Sequence, residues 1–198
     1  AGPGLLSAGG SSDGPRGRRR EPPGLRGHLA AAADDFYAAP FPSDHRRHPD
    51  GTVDLGAFPN PEGLAFVADM LGLLDGRAEG FGTTSGVFFS ATAALDPDGL
   101  PGLAESVAPA APAFLIDIEP DSPDYLALHP VTVGMEEDGG PFGAPHLLSL
   151  LPLQGLPLRP SHRYAAVGTR DLRDAAGERL GPATRHDEGP GAASQARA

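Results

Sequence analysis

A chain of 198 residues with 39% apolar content, 28 Gly and 23 Pro is turn-dense for a globular protein. It fits one domain of about 120–150 residues with loose ends. A formal charge of −11 argues against nucleic acid, whose phosphates it would repel. The absence of cysteine excludes disulfides, thiol nucleophiles, cysteine metal sites and a lipidated N-terminal cysteine, and leaves the compartment open.

All 15 basic residues are Arg, in keeping with the codon bias of a GC-rich genome. No apolar run reaches the length of a membrane span. Arg18–Arg20 is followed by Glu21, Pro22 and Pro23 rather than by the apolar core of a signal peptide. The first residue is not Met, so a processed, trimmed or fragmentary chain is expected.

Residues 1–33 are rich in Gly, Pro, Ser and Arg. Five Arg stand there against Asp13 and Glu21, a balance of +3, which leaves −14 on the rest. Such a segment cannot bury enough surface to offset the entropy of ordering, so a disordered basic tail is expected, with one frayed helical turn at Ala30–Ala33. An anionic partner for its Arg cluster is the less favoured reading.

Residues 34–80 read as an extended arm followed by a helix. Pro40, Pro42, Pro49, Pro59 and Pro61 forbid a helix before residue 61 and allow short extended pieces. Phe36, Tyr37, Phe41, Val53, Leu55 and Phe58 are spaced to press the arm onto a domain. Asp50-Gly51 marks a turn, with a short strand possible over Thr52–Leu55. Asn60 suits a helix N-cap with Pro61 in the first helical position. Leu64, Val67, Leu71 and Leu74 form one apolar stripe, and Asp75-Gly76 stops the helix. With a thin polar face, the helix is expected to pack on the core rather than against a partner.

Residues 81–180 read as short strands separated by turns. The expected strands are Gly86–Thr92, Ala113–Glu119, Val131–Met135, His146–Leu151 and Tyr164–Thr169. In the second, Phe114, Ile116 and Ile118 share one face, and Leu115, Asp117 and Glu119 the other. Leu158, Pro160 and Tyr164 follow the spacing L-x-P-x-x-x-Y. This places a tyrosine just inside a strand after a corner, its hydroxyl reaching back to backbone a few residues upstream. Asp174–Gly177 is the closing turn. Residues 181–198 lose their apolar content and are expected to form a second disordered tail. The whole predicts a mainly β fold: an Ig-like β-sandwich with an N-terminal arm and one packed helix.

These motifs resemble a bacterial Ig-like domain family. The resemblance runs from Phe88–Ser90 and Leu95-Asp96-Pro97, through Leu158, Pro160, Tyr164 and Val167, to Asp174, Gly177 and Leu180. The arm, with Pro40–Asp44 and Asp50–Thr52, is similar to the start of secreted myxobacterial-type proteins. It is also similar to the Ig-like region that precedes some bacterial lipases. The resemblance covers about residues 36–180 and implies fold and export, to the periplasm, the cell surface or the medium. It carries over no catalytic residue. One departure is Gly168, where a β-branched residue is expected; it weakens the strand or marks a bulge.

Candidate sites are few. Gly82-Thr83-Thr84-Ser85-Gly86 lacks the glycine two before the serine that a nucleophile elbow needs, and reads as the loop into a strand. His45 and His48, beside Asp44 and Asp50, offer imidazole and carboxylate ligands. Arg46 and Arg47 put two positive charges there, so a polar turn is preferred, and the scattered His129, His146, His162 and His186 do not change that. Asp96 and Asp98, or Glu136, Glu137 and Asp138, offer calcium hard oxygens, but neither set supplies the full coordination number and the EF-hand spacing is absent. With 6% aromatics and no Trp, a sugar-stacking platform is disfavoured.

The sequence thus predicts no catalytic, cofactor or metal site. It predicts a non-catalytic structural or interaction module of an exported protein: a monomer meeting another domain of its own protein or a surface protein. The alternative is the N-terminal accessory region of a lipase or esterase whose catalytic domain lies elsewhere. A third reading is a truncated product with no role of its own.

Overall fold

The computed structural model describes residues 36–181 and 194–197. The expected tail over residues 1–33 lies outside them. Within the described residues, seven strands form two antiparallel sheets, with one α-helix and several short 3-10 turns.

The first sheet joins β1 (Val87–Ser90), β4 (Val131–Glu136) and β5 (Leu147–Pro152) in the order β1-β5-β4. The second joins β2 (Ala113–Asp117), β3 (Leu128–His129), β6 (Arg163–Gly168) and β7 (Ser194–Arg197) in the order β3-β2-β6-β7. All five expected strands are present, with ends shifted by one or two residues. β3 is an addition. So is β7, which lies in the stretch expected as a tail and pairs its backbone with β6.

Between β3 and β4 the chain passes from one sheet to the other at Pro130. Proline suits such a step, since it has no N–H to give to a ladder. Ser106 secures the crossing from inside: its hydroxyl donates to Leu103 O at 2.8 Å and accepts from Val131 N at 3.1 Å.

The two sheets enclose one core. Val87, Phe89, Val131, Leu148 and Leu150 meet Ala113, Leu115, Tyr164 and Ala166, with Leu95, Leu158, Leu172 and Leu180 closing its ends. In β2 the inward face carries Leu115 and Asp117, while Phe114 and Ile116 are only half-buried. Burial of Asp117 is supported by hydrogen bonds, because its carboxylate accepts from Glu119 N at 2.8 Å and from the Ser122 hydroxyl at 2.7 Å. Gly168 makes no bulge: it closes β6 opposite Ala113 in continuous register.

The corner before β6 has the expected geometry. Tyr164 is buried, and its hydroxyl accepts a 3.1 Å hydrogen bond from Arg159 N, five residues upstream. Asp174 forms the closing turn, accepting from Ala176 N and Glu178 N at 2.9 Å each. Gly177 completes it at φ +82°, a conformation that glycine adopts without steric cost.

The arm is ordered and clipped to the sheet edge. Phe41 and β1's Phe88 exchange backbone hydrogen bonds of 3.1 and 2.7 Å. Phe36, Tyr37, Val53, Leu55, Ala144 and Leu147 form a second cluster, flanked by Phe41, Phe58, Leu71, Phe81 and Phe88. Edge-to-face ring contacts tie Phe36 to Tyr37 and Phe58 at 5.1 Å.

The helix departs from expectation. α1 spans Ala65–Leu74, beginning four residues beyond the predicted first helical residue. Asn60 instead closes a preceding turn: its Oδ1 accepts from Leu64 N and its Nδ2 donates to Leu64 O, and Gly63 takes φ +60°. No residue of α1 is fully buried. Leu71 packs on the arm cluster, but Leu64 and Leu74, both assigned to the inward stripe, are exposed. The helix thus meets the arm cluster through the middle of its expected stripe, Val67 and Leu71 being its two half-buried residues, and turns most of its apolar surface outward. The large apolar residues of AFVADMLGLL span an arc of about 160° at 100° per residue: Val67 and Leu71 lie on one side of it, and Phe66, Met70 and Leu73 on the other stand outward.

Candidate functional site

The histidine region of the arm is a tight hairpin. His48 N donates to Thr52 O and Gly51 N to His48 O, both at 2.8 Å, and Asp54 N donates to Arg46 O at 2.9 Å. The Asp50 carboxylate accepts from the amide and hydroxyl of Thr52 at 2.9 and 2.6 Å. The Thr52 hydroxyl, then its amide, hold the Asp50 carboxyl below its ordinary pKa. Asp50 thus belongs to the turn.

The second limb of the hairpin is locked to the end of α1. Gly76 N donates to Val53 O at 3.0 Å, Val53 N to Ala78 O at 2.8 Å, and Leu55 N to the Asp75 carboxylate at 2.7 Å. These bonds bring His48, Asp54 and Asp75 together. One ligand atom from each lies within 4.8 Å of the others, and all three residues are half-buried. His48 Nε2 stands 3.5 Å from Asp75 Oδ1.

The sequence weighed His48 with His45, Asp44 and Asp50; the structure sets it beside Asp54 and Asp75. Asp44 and His45 are exposed on the preceding turn, and Asp50 is turned to Thr52. Asp75 was legible only as the residue that stops the helix and Asp54 only as part of a short strand. Their convergence depends on the long-range pairing of Val53 with Gly76 and Ala78, which no local pattern announces.

The two arginines that argued against a cation are engaged elsewhere. The Arg46 guanidinium lies over the Phe36 ring, 4.4 Å from its centroid, and donates to Phe36 O. Arg47 donates to Gly51 O and, at 3.0 Å, to Glu79 O.

The remaining candidates stay apart. Asp96 accepts from Asp98 N at 3.1 Å within its own turn, and Asp138 does the same for Gly140 N at 2.9 Å. Glu136 and Glu137 are exposed. Ser85 closes a turn with Gly82, its amide donating to Gly82 O at 3.0 Å just before β1.

A second feature is the outer side of α1. Phe66, Met70 and Leu73, at i, i+4 and i+7, are 73%, 45% and 65% exposed, with Leu64 and Leu74 exposed at the helix ends. Single exposed apolar residues are ordinary, whereas Phe66, Met70, Leu73 and Leu74 share one side of a short helix and form a patch. No helix among the described residues is long and apolar enough to cross a membrane. No family model, curated protein or solved structure matches the chain.

Proposed function

We propose that this chain is a non-catalytic Ig-like module of an exported bacterial protein, monomeric by itself, that presents α1 to a neighbouring domain of the same polypeptide. The observation that carries this reading is the outward patch of Phe66, Met70 and Leu73. The two-sheet core and the tyrosine corner support the Ig-like part. The buried polar side chains Ser106, Asp117 and Asp174 are engaged in turns and crossings. These three side chains serve the scaffold.

The size of the patch selects its partner. Its four side chains offer on the order of 400 Å², short of the roughly 800 Å² that each partner gives in a stable pair. A contact of that size holds when the partner is tethered, because linkage raises its effective concentration to about millimolar. A lipid surface fits less well: α1 carries Asp69 and no basic residue, whereas interfacial helices are rich in Lys and Arg.

A photo-crosslinking amino acid at position 66 of the full-length exported protein tests the reading. Crosslinks are expected within the polypeptide, mapping to one other domain. Crosslinks to lipid or to a second copy, or none at all, would overturn it. A crosslinked domain with a serine-hydrolase core would make this module an accessory region of a lipase or esterase.

A further inference from the structure

We propose that His48, Asp54 and Asp75 form a binding site for a first-row divalent transition metal, with zinc the probe of choice, that staples the arm hairpin to the C-terminal end of α1. The three ligands come from three separate pieces of backbone: His48 from the first limb of the hairpin, Asp54 from the second, and Asp75 from the residue that caps α1. Hydrogen bonds already hold these pieces in place, so the metal would meet a largely preformed site.

The geometry suits one ion. Zinc holds imidazole nitrogen and carboxylate oxygen at about 2.0–2.2 Å, so its ligands stand about 3–3.5 Å apart in a tetrahedral set. With the three ligand atoms inside 4.8 Å, small side-chain rotations close the triad. Half-burial leaves solvent access to complete the coordination.

The chemistry of the donors selects the class of metal. Calcium requires six to eight oxygens, and this site offers one nitrogen and two carboxylates. Imidazole with carboxylate suits zinc and its first-row neighbours. Two carboxylates held side by side repel each other, and a divalent cation relieves that repulsion. Arg46 and Arg47 direct hydrogen bonds to the backbone carbonyls of Phe36, Gly51 and Glu79.

Each carboxylate also has a structural hydrogen bond through Oδ1: Asp54 to Gly56 N at 3.0 Å, and Asp75 to Leu55 N at 2.7 Å. An Asp→Asn change keeps an oxygen for that bond and removes the charge that a metal needs. The role of ligand can thus be separated from the role in folding.

Zinc titration by calorimetry, with thermal unfolding followed in parallel, tests the proposal on the metal-stripped full chain. One zinc per chain is expected, with a melting temperature raised by about 5–10 °C at a hundredfold excess over Kd. Calcium at the same concentration should give no shift. His48→Ala, Asp54→Asn and Asp75→Asn should each weaken zinc at least tenfold while melting, without metal, near the parent temperature. His45→Ala, on the exposed neighbouring turn, should bind zinc as the parent does. Cobalt should give a visible absorption band that disappears in His48→Ala. The proposal is overturned by zinc affinity weaker than millimolar, by binding that survives His48→Ala or Asp54→Asn, or by a calcium response that matches that of zinc.

Discussion

Tyr164 joins the corner before β6 to the sheet through one hydrogen bond, and its value can be measured. Removing the hydroxyl in Tyr164→Phe leaves Arg159 N without its partner, at a cost of about 0.5–1.5 kcal/mol, the usual net worth of such a bond. Leu158 is buried beside it in the core, so Leu158→Ala should cost about 2–5 kcal/mol. Arg163 ion-pairs with Glu119 at 3.2 Å and makes a poor control; exposed Arg170→Ala should change little. Urea titrations rank the three, and a Tyr164→Phe midpoint equal to that of Arg170→Ala would show that the corner bond contributes nothing. Burial, ahead of every other influence, raises the phenol pKa of Tyr164 above its ordinary value. The folded state therefore favours the neutral phenol. Its contribution is complete below the unfolded value of about 10 and is lost as pH rises through the higher folded value. Between pH 9 and 11.5 the parent's urea midpoint should fall more steeply than that of Tyr164→Phe; parallel curves would refute the assignment.

At the scale of the element, α1 sets its inner and outer sides against each other. Leu71 reaches the arm cluster but is only half-buried, so Leu71→Ala should cost about 1–2 kcal/mol, less than a full core truncation. Phe66→Ser removes a larger apolar group and Leu73→Ser one of the same size, yet both side chains already stand in water. Their unfolding midpoints should move by no more than about 0.5 kcal/mol while binding of a hydrophobic dye falls. If Phe66→Ser destabilises more than Leu71→Ala, the outward side has been misassigned. The strands were legible because turns marked by Asp, Gly and Pro bracket alternating apolar runs such as Ala113–Asp117. β3 was not, since two residues carry no periodicity, and β7, Ser194–Arg197, has no strand-forming composition. For α1 both the helix and the centre of its inward stripe were legible, since Val67 and Leu71 are its two half-buried positions. The exposure of the stripe's ends, Leu64 and Leu74, was not, because Phe66, Met70 and Leu73 extend the apolar arc to one side. The metal-ligand triad was further from reach: His48, Asp54 and Asp75 meet through backbone pairing across more than twenty residues.

Taken whole, the molecule has two apolar clusters, one between the sheets and one beneath the arm. They meet along β1 and β5: Phe88 and Leu147 face the arm cluster, while Phe89 and Leu148, the next residues along, face the core. Alternation along a strand therefore lets two neighbouring residues serve both clusters. Among the described residues the arm pairs its backbone with the sheet at one bridge, Phe41–Phe88, whereas β2 and β6 pair over five residues and β4 and β5 over six. Local opening should follow that difference in pairing and burial. Native-state hydrogen exchange should find the slowest amides in β2, β5 and β6, an intermediate group at Val53 and Phe41, and the fastest helical amides in α1. Phe36→Ala tests how far the clusters are independent. It removes the ring that contacts Tyr37, Phe41 and Phe58, and a ring of that kind costs about 3–5 kcal/mol when truncated in a core. If the arm opens as its own unit, exchange should accelerate across 41–78 while the amides of Leu115 and Ala166 keep their parent rates. Equal acceleration at Leu115 would mean that arm and sheets unfold together, and that the junction at Phe88 and Leu147 couples them into one cooperative structure.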